Sequence, residues 1–137
     1  MKHLIVPVIA LYKKEDHSIL LSVRQAGKQL AGYYEFPGGK TEIGETPSEA
    51  LCREIFEELD ITIKQDDLDP VIFTDFKFEE KIYTLLMYYC DAFSGTPKGK
   101  EGQHIEYVAA DKLDTYKMPF ANTKLIPALI DYIKKKS

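Results

Sequence analysis

The stretch GGKTEIGETPSEALCREIFEELDI, residues 38–61, decides how this chain is organised. It opens with two glycines, passes through a short polar loop and ends in a predicted helix. Thr46 is a good N-cap, and Pro47 suits the first helical position. Glu49 lies three residues after Thr46 and completes a capping-box pattern. The sequence therefore predicts that a helix begins at Pro47.

The predicted helix carries an apolar stripe with an acidic arc beside it, since positions three and four apart share a face. The apolar stripe comprises Leu51, Ile55 and Leu59. The acidic arc comprises Glu54, Glu57 and Glu58. Like charges at these spacings repel one another, and Mg²⁺ or Mn²⁺ takes oxygen ligands of this kind. The arc indicates a divalent-cation site; the alternative is a solvated acidic face stabilised by Arg53 and the helix dipole.

The residues before the helix favour the metal site. Gly38 and Gly39 allow the backbone to come close to the helix, where a bare carbonyl is a further possible ligand. Glu45 adds a carboxylate just ahead of the helix. The run Gly39-Lys40-Thr41 resembles the end of a P-loop, but the first glycine of that motif would fall at Tyr34. No helix is predicted directly after residue 41, so a P-loop is excluded.

Length and composition favour one globular domain spanning residues 1–137. The net charge of -4 gives no reason to expect binding to nucleic acid polymers. Cys52 and Cys90 lack metal-ligand spacing, and we expect reduced, packed thiols and a cytoplasmic location. The short apolar run in residues 3–12 is followed by charged residues, which predicts a strand and not a signal peptide. No apolar run is long enough to span a membrane.

The pattern of the whole chain predicts an α+β fold, a mixed sheet covered by two main helices. The predicted strands are 3–12, 18–24, 33–36, 69–78, 81–93 and 104–108. The first two are expected to pair as a hairpin, with Pro7 indicating an edge or a bulge. The runs 69–78 and 81–93 are joined at Glu79-Glu80. The remaining helical segments are a turn within 111–120 and a last helix over about 122–135.

The central stretch resembles the Nudix box, which is Gly, five residues, Glu, seven residues, then Arg-Glu-apolar-x-Glu-Glu-x-Gly-apolar. The matching positions are Gly39, Glu45, Arg53, Glu54, Ile55, Glu57, Glu58 and Ile61. The one departure is Asp60, where the family has a Gly that ends the helix in a left-handed turn. Asp tolerates that conformation better than most residues. The departure therefore concerns the end of the helix and not the carboxylates.

The resemblance extends to the MutT-like branch of the family. Residues 35–40, EFPGGK, match its approach to the box, and residues 99–103, GKEGQ, match its late acidic loop. Residues 119–122, PFAN, resemble the segment before its last helix. The resemblance implies an α/β/α sandwich with a mixed, mostly antiparallel sheet.

The resemblance also assigns roles in the hydrolysis of phosphoanhydride bonds. The implied metal ligands are Glu54, Glu57 and Glu58, a carbonyl of Gly38 or Gly39, and Glu101 from the late loop. Either Glu54 or Glu101 would take the proton from the attacking water. Arg53 would orient the glutamates, and Glu45 would tie the loop to the helix.

Four residues outside the box are candidates for substrate binding. Arg24 corresponds to an arginine that lies near the nucleotide in the family; the alternative is an ordinary surface charge. Asn122 corresponds to an asparagine that hydrogen-bonds to the purine base in the family. The alternative is that it is the N-cap of the last helix. Phe78 and Tyr83 either wall a base pocket by stacking or belong to the core. Gln29 stands where the MutT prototype has a His, so nucleotide preference does not transfer directly.

The function implied is a Mg²⁺- or Mn²⁺-dependent nucleoside triphosphate pyrophosphohydrolase. The expected substrate is an oxidised purine triphosphate such as 8-oxo-dGTP. One alternative is hydrolysis of CTP or a modified pyrimidine triphosphate. The other is a nucleotide-binding protein without turnover, although the box retains all its glutamates. We expect a small-molecule partner only, no membrane, and a monomer or homodimer.

Overall fold

The computed structural model describes residues 1–136, which form one six-stranded sheet flanked by helices. The strands are β1 (Lys2–Lys13), β2 (Ser18–Val23), β3 (Tyr34–Glu35), β4 (Asp69–Phe78), β5 (Lys81–Cys90) and β6 (Ile105–Ala109). The helices are α1 (Pro47–Leu59), α2 (Phe120–Thr123) and α3 (Ile126–Lys136), with 3₁₀ turns at Gln65–Asp67 and Ala110–Thr115. No helix within residues 1–136 is long and apolar enough to cross a membrane.

The sheet is mixed and mostly antiparallel, as predicted. Its order is β3-β2-β1-β5-β4, and β6 also pairs with β2. β1 and β2 form the predicted antiparallel hairpin, whereas β1 and β5 are parallel over ten residue pairs, from Lys2–Lys81 to Leu11–Cys90. Every other strand pair is antiparallel. The parallel pair places the start of β5 beside the start of β1.

Two apolar clusters lie on opposite faces of the sheet and make the structure an α/β/α sandwich. On one face, α1 packs its stripe of Leu51, Ile55 and Leu59 against Ile9, Leu11 and Leu20. On the other face, Leu125 and Leu129 near the C-terminus pack against alternate residues of the same strands, including Val8 and Leu85. The alternation of side chains along each strand explains why one run of apolar residues supplies both clusters.

Both ends of α1 follow from local sequence. The Thr46 side chain accepts a hydrogen bond from the Glu49 backbone at 3.2 Å, and the Glu49 carboxylate accepts one from the Thr46 backbone at 2.8 Å. The capping box is therefore confirmed. At the other end Asp60 is left-handed, with φ 60° and ψ 34°, and its N–H donates to the Phe56 carbonyl. Asp thus adopts the turn that the family forms with Gly.

β5 ends at Cys90, three residues earlier than predicted. The chain leaves the sheet at Asp91, which accepts a hydrogen bond from the Tyr89 hydroxyl at 2.8 Å and lies 3.6 Å from the Lys14 ammonium. Ser94 then pairs with Thr62 beyond the end of α1, through two backbone hydrogen bonds of 3.0 Å. Residues 91–93 therefore form a connection between the end of β5 and the pairing of Ser94 with Thr62.

The last helix is divided in two, so the prediction of one helix over 122–135 is wrong at its start. α2 begins after Pro119, and α3 begins at Ile126. Pro127 has no N–H to donate to the Thr123 carbonyl, so a helix running on from α2 would lose a hydrogen bond there. Near the start of α3 the same proline is tolerated because the first N–H groups of a helix have no partner within it.

Candidate active site

The segment of residues 37–39, here called the glycine segment, is held against β1 by backbone hydrogen bonds. The Ile9 N–H donates to the Pro37 carbonyl at 2.9 Å, and the Gly39 N–H donates to the Pro7 carbonyl at 3.2 Å. Pro7 therefore lies inside the sheet, not at its edge and not in a bulge. Its nitrogen points toward the glycine segment and not toward β5, so the pairing of β1 with β5 loses no donor.

Both glycines are needed for this close approach. A Cβ on Gly38 would collide with the Pro7 carbonyl oxygen and would lie 2.7 Å from the Val8 Cα. A Cβ on Gly39 would lie 2.5 Å from an oxygen of the Glu54 carboxylate. Gly38 is thus packed against backbone and Gly39 against the Glu54 carboxylate of α1.

Arg53 joins the polar loop to the acidic arc of α1. Its guanidinium donates to the Glu45 carboxylate twice, at 2.7 and 2.9 Å, and to Glu54 at 3.0 Å. Its contact with Glu57 is longer, at 3.4 Å. The hydrogen bonds from Arg53 lower the pKa of Glu45 to about 2, and those carboxylates raise the pKa of Arg53. Arg53 thus contacts both the loop residue Glu45 and the helix residue Glu54.

Glu58 is the most deeply buried carboxylate of the arc. Its Oε2 is buried and has no hydrogen-bond partner among residues 1–136. Burial raises the pKa of Glu58, a hydrogen bond with Glu54 adds to this, and the charges of Glu101 and Glu35 raise it further. Three carboxylates from three separate segments therefore act on this one side chain. A buried oxygen without a donor among other acidic groups is what a bound cation would satisfy.

The late loop is fastened to the C-terminus of α1. The Lys100 N–H and the Gln103 side-chain amide both donate to the Glu58 carbonyl at 3.0 Å. The Gln103 amide oxygen also accepts a hydrogen bond from the Glu101 N–H at 2.9 Å. Asp60 adds ion pairs to Lys98 at 3.9 Å and Lys100 at 3.7 Å. The loop that carries Glu101 is thus attached at the residue that carries the buried carboxylate.

The donor set fits a hard divalent cation. Within residues 1–136 the acidic side chains as they stand form no ready group of three ligands, because Glu54 and Glu57 are directed at Arg53. The unpartnered Glu58 oxygen and the close approach of Gly39 to Glu54 nevertheless place oxygen donors of the preferred kind together. The residues present are therefore suited to a hard divalent cation.

Arg24 lies beside the site and not on an isolated surface. It donates to the Glu35 carboxylate at 2.8 Å and to the Gln29 carbonyl at 2.7 Å. Glu35 in turn acts electrostatically on Glu58. Sequence reasoning missed Glu35 as a site residue, although it directly precedes the Phe36-Pro37-Gly38-Gly39 run. Its position at the start of that run was the available signal.

Asn122 does not cap the last helix, so that alternative is wrong. It lies inside α2, whose N-cap is Pro119. Its side chain is 9% exposed, and its Oδ1 accepts a hydrogen bond from the Phe36 N–H at 3.2 Å. Its amide nitrogen has no hydrogen-bond partner among residues 1–136. The residue therefore fastens α2 to the segment that leads into the glycines.

Phe78 and Tyr83 lie on the β4–β5 hairpin and outside both apolar clusters. Phe78 is 42% exposed, so its assignment to the core is wrong. Tyr83 is half-buried and stacks on Phe76, with ring centroids 5.0 Å apart and an interplanar angle of 7°. Tyr83 pairs with Leu4 in the parallel register, and both share the face of the sheet on which α2 packs. Phe76, which stacks on Tyr83, is a further aromatic residue of the hairpin that sequence reasoning missed.

The NUDIX domain family matches residues 8–128 of the chain. The chain belongs to the Nudix family. It is 36% identical over 132 residues to the 8-oxo-dGTP diphosphatase of Haemophilus influenzae, covering 95% of this chain and 94% of that protein. It is 30% identical over 125 residues to the CTP pyrophosphohydrolase of Escherichia coli, covering 91% of each. The solution structure of the E. coli ORF135 protein superposes with a TM-score of 0.84 at 29% identity, covering 96% of this chain and 91% of that one.

This Nudix protein is accordingly a MutT-like hydrolase of nucleotide phosphoanhydride bonds. Nudix hydrolases generally use a divalent metal, which agrees with the oxygen-rich site. Cys52 and Cys90 are free thiols, half-buried and buried, and burial raises the pKa of both. The thiols are thus free and packed, as expected from the sequence, and a raised pKa disfavours the reactive thiolate.

Proposed function

We propose that this Nudix protein is a Mg²⁺-dependent nucleoside triphosphate pyrophosphohydrolase that releases a nucleoside monophosphate and pyrophosphate, with Mn²⁺ as a possible substitute. The observation that carries the proposal is the buried, unpartnered Oε2 of Glu58, surrounded by Glu54, Glu101 and Glu35. Such an oxygen is costly to bury unless a cation satisfies it. The similarity to an 8-oxo-dGTP diphosphatase and to a CTP pyrophosphohydrolase supports a nucleoside triphosphate as the substrate.

The residues of α1 and the glycine segment would hold the cation. The ligands would be Glu54, Glu57 and Glu58 with a carbonyl of Gly38 or Gly39, and Glu101 would approach from the late loop. When bound, the cation would neutralise phosphate charge and lower the pKa of a bound water. The lining of carboxylates alone would repel a triphosphate, so substrate binding is expected to require the metal.

The remaining roles fall to side chains whose contacts are already in place. Arg53 would hold Glu54 and Glu57 in orientation through its charge-assisted hydrogen bonds. Glu45 would fix Arg53 and so tie the polar loop to α1. Either Glu54 or Glu101 would take the proton of the attacking water. Gln103 would position Glu101 through its hydrogen bond to the Glu101 N–H.

The preferred substrate in this proposal is an oxidised purine triphosphate such as 8-oxo-dGTP. The support is the similarity to the H. influenzae 8-oxo-dGTP diphosphatase and the chemistry of Asn122. Because its Oδ1 is used by Phe36, the Asn122 amide is oriented to donate, which suits a base carbonyl such as O6 of guanine. The stacked pair of Phe76 and Tyr83 offers an aromatic surface on the same face of the sheet.

A second candidate is hydrolysis of CTP or a modified pyrimidine triphosphate, which the similarity to the E. coli CTP pyrophosphohydrolase favours. A hydrolysis screen with Mg²⁺ separates the two. It would compare dGTP, 8-oxo-dGTP, CTP and dCTP, with pyrophosphate and monophosphate detected. Selective turnover of 8-oxo-dGTP supports the first proposal. Preference for CTP or dCTP retains the metal site and overturns the purine role of Asn122.

The metal site has its own test, independent of substrate choice. The variant E57Q should lose nearly all turnover at saturating Mg²⁺ while its melting temperature without metal stays at the wild-type value. E58Q should lose the thermal stabilisation that Mg²⁺ gives the wild type, since a ligand stabilises only the state that binds it. The exposed Glu15, replaced as E15Q, is the matched control for a Glu-to-Gln change. Full turnover by E57Q would remove this assignment of the site.

A further inference from the structure

β4 forms one edge of the sheet, and its outer side is unpaired. It pairs with β5 on one side, and no strand of residues 1–136 lies on the other. Its apolar side chains are exposed, with Phe73 63%, Phe76 37% and Phe78 42% accessible. A long edge strand with exposed apolar side chains is a template for the addition of another strand.

Two charges of opposite sign flank Phe76 on this edge. Asp75 and Lys77 are both exposed, and both point to the face opposite Phe76 because strand side chains alternate. Neither forms an ion pair with any other residue of the described part of the chain. An acid and a base separated by one residue form a pattern that is complementary to itself when the strand is reversed.

We propose that β4 pairs antiparallel with β4 of a second copy of this chain, about a two-fold axis at Phe76. In that register Asp75 of each copy lies opposite Lys77 of the other, so two ion pairs form. Phe76 meets its own counterpart, and Thr74 lies opposite Phe78. Opposite charges and aromatic pairs directly across two strands both stabilise a sheet.

The charges also exclude the neighbouring registers. A pair centred on Asp75 places the Asp75 carboxylates of the two copies opposite each other. A pair centred on Lys77 does this with the two Lys77 ammonium groups, and like charges directly opposite each other destabilise a sheet. A pair centred on Thr74 places Asp75 opposite Phe73 and leaves its charge without a partner. Within β4, the register at Phe76 is the one that satisfies both charges.

A second copy is favoured over a foreign peptide because the pattern is self-complementary, as a two-fold interface requires. The paired segment is short, Thr74–Phe78 from each copy, so the dimer is expected to be weak and dependent on concentration. The pairing does not involve α1 or the glycine segment. It is therefore independent of the proposed metal site, although it shares Phe76 with the aromatic surface proposed for the base.

Sedimentation velocity over a range of protein concentrations tests the proposal. K77D and D75K each place like charges opposite one another twice and should weaken the dimer about tenfold or more. The double variant D75K/K77D reverses both charges and should restore wild-type association. K112D, at an exposed lysine away from β4, is the matched control and should associate like wild type. Circular dichroism confirms that each variant is folded.

Directed cross-linking tests the register. The variant F76C should give a covalent dimer under mild oxidation, since the two positions face each other across the axis. F73C should not, because its two copies would lie about 20 Å apart along the strands. A wild-type monomer at every concentration overturns the proposal. Charge variants that associate like wild type also overturn it, and so does a double variant that fails to restore association. Those two results would follow if the partner were another protein's strand or if the dimer used another surface.

Discussion

Arg53 and Glu45 form a forked ion pair, Nε to Oε2 at 2.7 Å and Nη2 to Oε1 at 2.9 Å, which joins the polar loop to α1. Lysine cannot reproduce two parallel hydrogen bonds. R53K should therefore fold but lower kcat about 10- to 100-fold, as is usual when a residue that orients metal ligands is changed. Steady-state kinetics with saturating Mg²⁺ would measure this. A kcat equal to wild type would show that the fork is dispensable.

The same pair predicts a pH-dependent contribution to stability. The pKa of Glu45 is lowered to about 2 in the folded state, so its contribution is present above the unfolded pKa and is lost as the pH falls toward 2. E45Q should melt below wild type at neutral pH, and the gap should close progressively below about pH 5. Melting curves of both proteins across this range provide the measurement. A gap that stays constant with pH would mean that the lost interaction is not ionic.

The two adjacent glycines should respond differently to alanine. In G38A the new Cβ meets backbone atoms of Pro7 and Val8, which cannot move aside. We expect a loss of about 1–3 kcal/mol in the free energy of unfolding. In G39A the new Cβ meets only the end of the Glu54 side chain, which can rotate away. That variant should keep its melting temperature and lose about tenfold or more in Mg²⁺ affinity, measured by Mg²⁺ titration of the thermal shift. Equal destabilisation of both would contradict the distinction.

Asn122 allows structural and recognition roles to be separated. N122A leaves the buried Phe36 N–H without an acceptor and should cost about 1–3 kcal/mol in stability. N122D retains the acceptor but removes the amide donor, so it should stay near wild-type stability and lose preference for purines. Melting temperature and the ratio of kcat/KM for 8-oxo-dGTP and CTP distinguish the two effects. Unchanged selectivity in a stable N122D would restrict Asn122 to fastening α2.

The turn between β4 and β5 offers a gain in stability. Glu79 and Glu80 are both left-handed, with φ of 50° and 61°, a conformation that costs an ordinary residue about 1 kcal/mol or more. Asn-Gly is the preferred pair for such a hairpin turn. E79N/E80G should raise the melting temperature by about 3–5 °C. A lower melting temperature would show that the glutamate side chains make a contribution larger than the strain.

The features that could be predicted from sequence are those that short segments determine. Thr46, Pro47 and Glu49 define the start of α1 because a capping box needs only neighbouring residues. The acidic arc follows from helical periodicity, and the left-handed Asp60 from its place in the box. In each case the interacting atoms lie within a few residues of one another.

The features that were missed depend on contacts between distant segments. The hydrogen bond from Phe36 to Asn122 spans 86 residues, and no local pattern distinguishes it from a helix cap. Pro7 is tolerated inside the sheet because its nitrogen points toward the glycine segment and not toward β5, and that segment lies about 30 residues further along the chain. The burial of Glu58 arises only once the late loop closes over the end of α1.

The sheet separates the two apolar clusters, with the carboxylates of α1 behind one face and α2 with the hairpin aromatics on the other. Each cluster has its own helices, and the strands between them contribute alternate side chains to both. In the proposed function, the base is read on the second of these faces and the phosphates are held at the first. A lineage or a directed library can then change the base preference without changing the residues that act on the phosphates.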